Sequence, residues 1–254
     1  MQTAKNASFH AALLVGFFLI PISQCIANST DPTSLTLKEK AFLKEHVFGG
    51  LPSVENIYVR IGYILSFNPK TKTPNWVAYH VKPDYLNTPK RQGRFKTFRD
   101  DPDIDREATD ADYKSLFTTR GYARGHLAPY AVMGGDRDGD AKYAEQDEDD
   151  ALTVYQSNYM SNIAPQHHRG FNGPPGLWWK LERWIQDELV AEQGNEVWVF
   201  AGCFFGPGQH ERVGPHKNIS VPPMFYKIVI TQTSDPDFPT VLAFLFPPPA
   251  IRPR

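Results

Sequence analysis

Hydrophobic positions fall mostly in short runs between turn residues, and one stretch keeps a helical period. Thr36-Leu37-Lys38-Glu39 has the form of a capping box and predicts a short helix through about Val47, ended by Gly49-Gly50. Asn56 to Phe67 is rich in β-branched and aromatic residues and reads as a strand. Asn68 to Asn75, with two prolines, reads as a turn, and Trp76 to Val81 as a second strand that completes a hairpin. His80 alternates with Tyr79 in that strand and reads as structural. Thr153 to Ile163 reads as a strand. Leu177, Leu181, Trp184, Ile185 and Leu189 predict a helix over Pro174 to Gln193, ended by Gly194-Asn195. Glu196 to Phe205, Met224 to Thr231 and Thr240 to Phe246 are apolar runs expected to be strands of a buried sheet. Lys82 to Asp112 is polar and irregular, either a solvated loop or an arm that meets phosphate. Gly134 to Asp150 is expected to be a surface loop.

Hydrophobic residues make up 41% of the 254 and charged residues 22%, enough for a buried core and one domain over residues 28–254. Residues 1–27 fall outside that domain. Lys5 is the only charge before the apolar run Ala11 to Ile22, and Cys25-Ile26-Ala27 offers a cleavage site. This predicts a signal peptide and a secreted or periplasmic protein, with no stable membrane association. The run is too short for an ordinary membrane span. Cys25 and Cys203 are the two cysteines, so the mature chain has no internal disulfide, and Cys203 in VWVFAGCFF reads as a small buried hydrophobe.

The net charge of −1 gives no support to nucleic-acid binding, but its distribution is uneven. Lys90, Arg91, Arg94, Lys96 and Arg99 cluster, as do Arg120 and Arg124, and a local basic surface can hold a polyanion on a near-neutral protein. Residues 136–150 carry eight acidic and two basic groups. Asp136, Asp138 and Asp140 have the spacing of a calcium loop. Gly139 is misplaced for that motif, however, and Asp147 stands where a bidentate glutamate is usual.

Arg120 to Tyr130, RGYARGHLAPY, is the chemical centre of the chain. Hydrolysing a phosphodiester requires a base for water and positive charge for the phosphorane that develops. His126 is an imidazole base suited to neutral pH, and Arg124 a guanidinium that grips phosphate by two prongs. Asn172 can offer an amide oxygen to a divalent metal, with Glu182 nearby on the predicted helix. Singly these residues are weak signals, because an asparagine before a helix is also a common cap.

RGHLAP, then SNIAPQ, then FN…W…LE, together with WVAYHV and LAFLFP, resemble the DNA/RNA non-specific endonucleases, over about Gly49 to Pro247. That family includes secreted bacterial nucleases and mitochondrial endonuclease G. The resemblance implies an α+β fold with a ββα-metal (His-Me finger) core and a central, mostly antiparallel sheet flanked by helices. It also implies magnesium, or manganese or another divalent metal, as cofactor and DNA and/or RNA as substrate, cut with little sequence preference to leave 5′-phosphates. On this chain the implied catalytic set is His126 as base, Arg124 beside the phosphate, the active-site Asn162 and Glu182, with Asn172 on the metal. Arg94 is the implied upstream substrate-binding arginine, with Lys96 and Arg99 as rivals, and Arg120 is a second substrate contact.

The chain departs from the pattern at Ala123, where an aspartate is usual. It carries extra residues at His167 to Gly170 and at Gly173 to Gly176, and it stops soon after LAFLFP. These departures leave room for an alternative, a catalytically weak or inactive polyanion-binding protein on the same scaffold. His167 and His168 lack partners at zinc spacing and read as surface residues.

Overall fold

The computed structural model describes residues 34–105, 107–233, 235 and 237–247, so the predicted signal peptide lies outside the described residues. Helix α1 (Leu37–His46) opens on the predicted capping box, with Thr36 Oγ1 accepting from Glu39 N and Glu39 Oε2 from Thr36 N. The single strand predicted from Asn56 to Phe67 is instead two antiparallel strands, β1 (Ile57–Val59) and β2 (Ile64–Asn68). A tight turn at Arg60 to Tyr63 divides them, closed by Arg60 N donating to Tyr63 O (2.9 Å). Arg60 leaves the ladder to form a buried ion pair with Asp101. Strand β3 (Thr73–Val81) pairs with β2 as predicted.

The segment after β3 is a strap rather than a solvated loop. Arg99 bridges to Tyr159, and Asp101 joins Arg60 to the Ser161 hydroxyl. Two short helices follow, α2 (Asp110–Tyr113) and α3 (Leu116–Arg120), then strand β4 (Tyr122–His126). The strand predicted over Thr153 to Ile163 is not formed. Its first half belongs to helix α4 (Glu148–Ser157), and β5 (Ile163–His167) begins only at its last residue. Asp147 caps α4, three carboxylates fill its first turn, and Ala151 and Val154 bury one face. These terms outweigh the β preference of Thr153-Val154-Tyr155.

After β5 a kinked turn (His168–Asn172) leads to helix α5 (Leu177–Trp184), which continues as a wider π-type coil to Glu192. The helix begins at Leu177 rather than Pro174, because Gly173 to Gly176 form their own turn, closed by Gly176 N on Gly173 O (2.7 Å). Strands β6 (Val197–Phe204), β7 (Arg212–Val213), β8 (Ile219–Ser220), β9 (Met224–Thr231) and β10 (Thr240–Phe246) complete the chain.

Six strands form one antiparallel sheet in the order β1-β2-β3-β6-β9-β10. Period-two alternation divides β9 between two cores. Phe225 and Val229 join Trp178, Leu181, Ile185 and Leu189 of the long helix in the main core, whereas Tyr226, Ile228 and Ile230 face the core covered by Phe42 and Leu43 of α1. His80 sits in the second core, stacked on Trp198 at 4.2 Å, a structural role as expected. Cys203 is a buried free thiol.

The β4–β5 ribbon lies apart from this sheet and is antiparallel, with Tyr122 opposite His167 and His126 opposite Ile163. Followed by α5 it makes a strand–strand–helix unit, and the fold is α+β with a ββα core. Among the described residues no helix is long and apolar enough to cross a membrane.

Candidate active site

His126 ends β4 and is half-buried against Phe98, ring centroids 5.5 Å apart. Its Nε2 lies 3.2 Å from Asn158 Oδ1. The Asn158 amide is oriented by its other contacts, since Nδ2 donates to the carbonyl oxygens of Phe95 (3.1 Å) and Val154 (3.4 Å). Oδ1 must therefore accept, from His126 Nε2–H and from Arg91 Nη2 at 3.0 Å. That fixes the neutral tautomer and leaves Nδ1, which has no partner among the described residues, as the basic nitrogen. Burial, and then the charge of Arg91, push the His126 pKa down to about 3.

Phe98 gathers the charges around this ring. Its face lies 4.9 Å from the Arg91 guanidinium and 5.2 Å from that of Arg124. Arg124 Nε pairs with Asp110 Oδ1 at 2.7 Å and Nη2 donates to Asp110 O. With alanine at position 123, Arg124 takes its carboxylate partner from Asp110, and among the described residues Nη1 has no protein partner.

Arg94 does not join the cluster. It lies over Phe95 and Tyr155 and bonds Glu148 and the Ala144 carbonyl, and Arg99 donates to the carbonyls of Arg94 and Thr97. The upstream arginine that reaches the histidine is Arg91. Sequence reasoning placed Arg91 in the basic cluster without choosing it. Asn158, four residues before Asn162, carried no separate signal.

Asn162 is fully buried and uses its whole amide on the backbone, accepting from Ala128 N (2.9 Å) and donating to Ala128 O and Ser157 O (both 2.8 Å). It locks the segment that leaves His126 and is a positioning residue.

Gly125 is needed for a close approach. A Cβ there would overlap the Gln166 side chain, which crosses the ribbon at this point. Gln166 Oε1 accepts from Asn172 Nδ2 at 2.6 Å. This contact ties Asn172 to the ribbon, and among the described residues its Oδ1 has no protein partner.

Glu182, on α5, accepts from Lys227 Nζ at 3.1 Å. Lys227 is completely buried beneath it, with the ammonium also 3.9 Å from the Trp178 ring centroid. Burial pushes the Glu182 carboxyl up, and Lys227 pulls it back towards the charged form. Arg120 stands outside the cluster, its Nη1 3.2 Å from Glu211. The structure thus brings together His126 and Arg124 and adds Arg91, Asn158 and Phe98, while Asn172 is tied through Gln166 to the ribbon at Gly125.

Asp136, Asp138 and Asp140 converge, with ligand oxygens within 4.8 Å of one another. Asp136 caps the amides of Gly139, Asp140 and Ala141, and Lys142 pairs with Asp140.

A paired ribbon followed by a helix, with a histidine of fixed tautomer and two guanidiniums gathered at the end of its first strand, defines a ββα scaffold. The family model for DNA/RNA non-specific endonucleases matches residues 48–252, and the chain belongs to that family. Its relatives include the mitochondrial Nuclease 1 of Schizosaccharomyces pombe, 29% identical over 78% of this chain and 59% of that protein. A nuclease of Syncephalastrum racemosum is 28% identical over 96% of this chain and 77% of its own. The nuclease of Serratia marcescens is 28% identical over 74% and 63%. The chain therefore spans 59% of the Schizosaccharomyces protein and half of the mitochondrial nuclease EXOG of Danio rerio. In the crystal structure of the EndoG/EndoGI complex, one chain superposes with a TM-score of 0.64 at 22% identity, covering 85% of this chain and 82% of that one.

Proposed function

We propose that this protein is a metal-dependent endonuclease that hydrolyses DNA and/or RNA with little sequence preference. The observation that carries this reading is the histidine at the end of the ribbon, its tautomer chosen by Asn158, with the Arg91 and Arg124 guanidiniums gathered about the Phe98 ring beside it. His126 Nδ1 takes the proton of the attacking water. Arg91 and Arg124 face the phosphate and offset the charge that grows on its oxygens. Contacts of this kind go to phosphate and carry no base information, which accounts for weak sequence preference.

Asn172 Oδ1 and the Glu182 carboxylate are the oxygens that would hold a divalent metal, hard donors that suit magnesium or manganese better than zinc. Such a cation would supply Lewis-acid stabilisation of the phosphate and of the departing 3′ oxygen. The polyanion-binding alternative leaves the fixed tautomer without a purpose.

Purified protein incubated with supercoiled plasmid or RNA tests the reading. Cutting is expected with magnesium and not with excess chelator, and the products should carry 5′-phosphates. A folded protein that cuts neither substrate with any of several divalent metals would sink it. Arg91→Ala is expected to lower kcat/KM by about 10²-fold or more, as when a donor to the developing charge is lost, whereas Arg94→Ala should stay within a few-fold. The reverse order would reassign the phosphate-side arginine.

We place the protein in a secreted or periplasmic compartment on the strength of Lys5 and the run Ala11 to Ile22. The mitochondrial names among its relatives make organelle targeting the competing address. N-terminal sequencing of the mature protein, with a start at Asn28 expected, distinguishes the two.

A further inference from the structure

Beyond the start of the β4–β5 ribbon lies a second charged hollow, of about 340 Å³. Lys114, Ser115, Thr119, Arg120, Arg212 and Lys217 line it, all exposed to solvent. Four cations in one hollow is a strong local excess for a chain of net charge −1. Glu211 neutralises Arg120 in part. Among the described residues no carboxylate pairs with Lys114, Arg212 or Lys217, and Arg212 bonds only the carbonyls of Lys70 and Asn218. Asp112, two residues before Lys114, turns its carboxylate to Thr109 and Asn218.

A neighbouring hollow of about 240 Å³ has the opposite character. Aromatic side chains of Tyr122, His167, Phe171, His210 and Phe225 line it, and the Tyr122 and His167 rings lie 4.4 Å apart. The two hollows share a wall, because the Glu211 carboxylate accepts both from Arg120 and from the Tyr122 hydroxyl at 2.9 Å.

We propose that the two hollows form an exosite for a nucleic-acid strand, with backbone phosphates in the cationic hollow and a base in the aromatic one. Cations beside an aromatic surface are the chemistry that grips single strands without reading sequence. A sulfated polysaccharide would need the cations but has no planar base for the aromatic walls. The proposal rests on the nuclease reading and extends it. Tyr122 and His126 are four residues apart on β4, about 13 Å at the usual strand rise, so the exosite lies roughly two to four nucleotides from the bond that is cut.

The test is DNA binding by fluorescence anisotropy across a salt series, in a His126→Ala background so that the probe survives. A 30-nucleotide single strand is compared on this parent and on a Lys114→Ser, Arg212→Ser, Lys217→Ser variant. Loss of three phosphate contacts should flatten the slope of log affinity against log salt by about 2.1 and weaken binding about tenfold or more at 0.1 M salt. Restoring charge as Lys114→Arg and Lys217→Arg with wild-type Arg212 should restore the slope, which separates charge from folding. An unchanged slope overturns the proposal, as does a triple variant that loses heparin binding but keeps DNA binding. Failure of the unmutated protein to cut DNA or RNA would strike the nuclease reading instead, and the slope would still be measurable.

Discussion

His126→Ala is expected to lower kcat on plasmid DNA by about 10²- to 10⁴-fold, the usual worth of a positioned general base, while DNA binding stays within about twofold. The ring is suited to this role because Asn158 fixes its tautomer and Phe98 fixes its plane. Burial first, and Arg91 second, depress its pKa to about 3. A base must be unprotonated to act, and a lowered pKa keeps it so as the pH falls, so the acid limb of the kcat/KM profile should lie well below the ordinary histidine value near 6.5. Asn158→Leu removes the acceptor for Nε2–H, frees the ring to take the other tautomer, and should cost turnover without weakening DNA binding. A His126→Ala protein that keeps more than a tenth of wild-type turnover would show that the base lies elsewhere.

Glu182→Gln should damage stability and activity together. Lys227 is 0% exposed and Glu182 22%, and the pair is the only ionic contact of that buried ammonium among the described residues. Making Glu182 neutral strands the charge, at a cost of about 3–5 kcal/mol, which for a domain of this size lowers Tm by roughly 6–20 °C. Lys227→Met alone should cost less, because Glu182 can take up a proton, as burial already favours. The double variant Glu182→Gln, Lys227→Met removes both charges and should regain most of the lost stability without regaining activity. Calorimetry and plasmid cleavage on the three proteins read the two effects separately. If Glu182→Gln alone is as stable as wild type, Lys227 does not depend on this pair. If the double variant recovers turnover as well, the carboxylate has no part in the reaction.

Much of the fold was legible because its signals are local. The capping box at Thr36 to Glu39 needs four residues, and the strands from Val197 onward are continuous apolar runs flanked by turn residues. Thr153 to Ile163 misled for the complementary reason. Its β-branched residues favour extension, but Asp147 caps a helix there and the core receives Ala151 and Val154 on one helical face. Nothing in one dimension distinguishes the five cations from Lys90 to Arg99, whereas the strap pinned by Arg99 and Asp101 turns Arg91 towards the histidine and Arg94 towards Glu148.

By itself the sequence determined the inventory: the histidine, arginine and asparagine motifs in order, the long helix that follows them, and the apolar runs of the sheet. Their chemistry depends on residue type and short spacing, which a chain carries with it into any fold. Only the tertiary structure decided which groups meet. Asn158 selects the His126 tautomer from 32 residues away, and Lys227 reaches Glu182 from 45 residues away. The Gln166 side chain reaches over Gly125 to meet Asn172 only because β4 and β5 pair in a register that sets Gln166 opposite Ala123. Such contacts are products of strand pairing and core burial, and no local spacing encodes them.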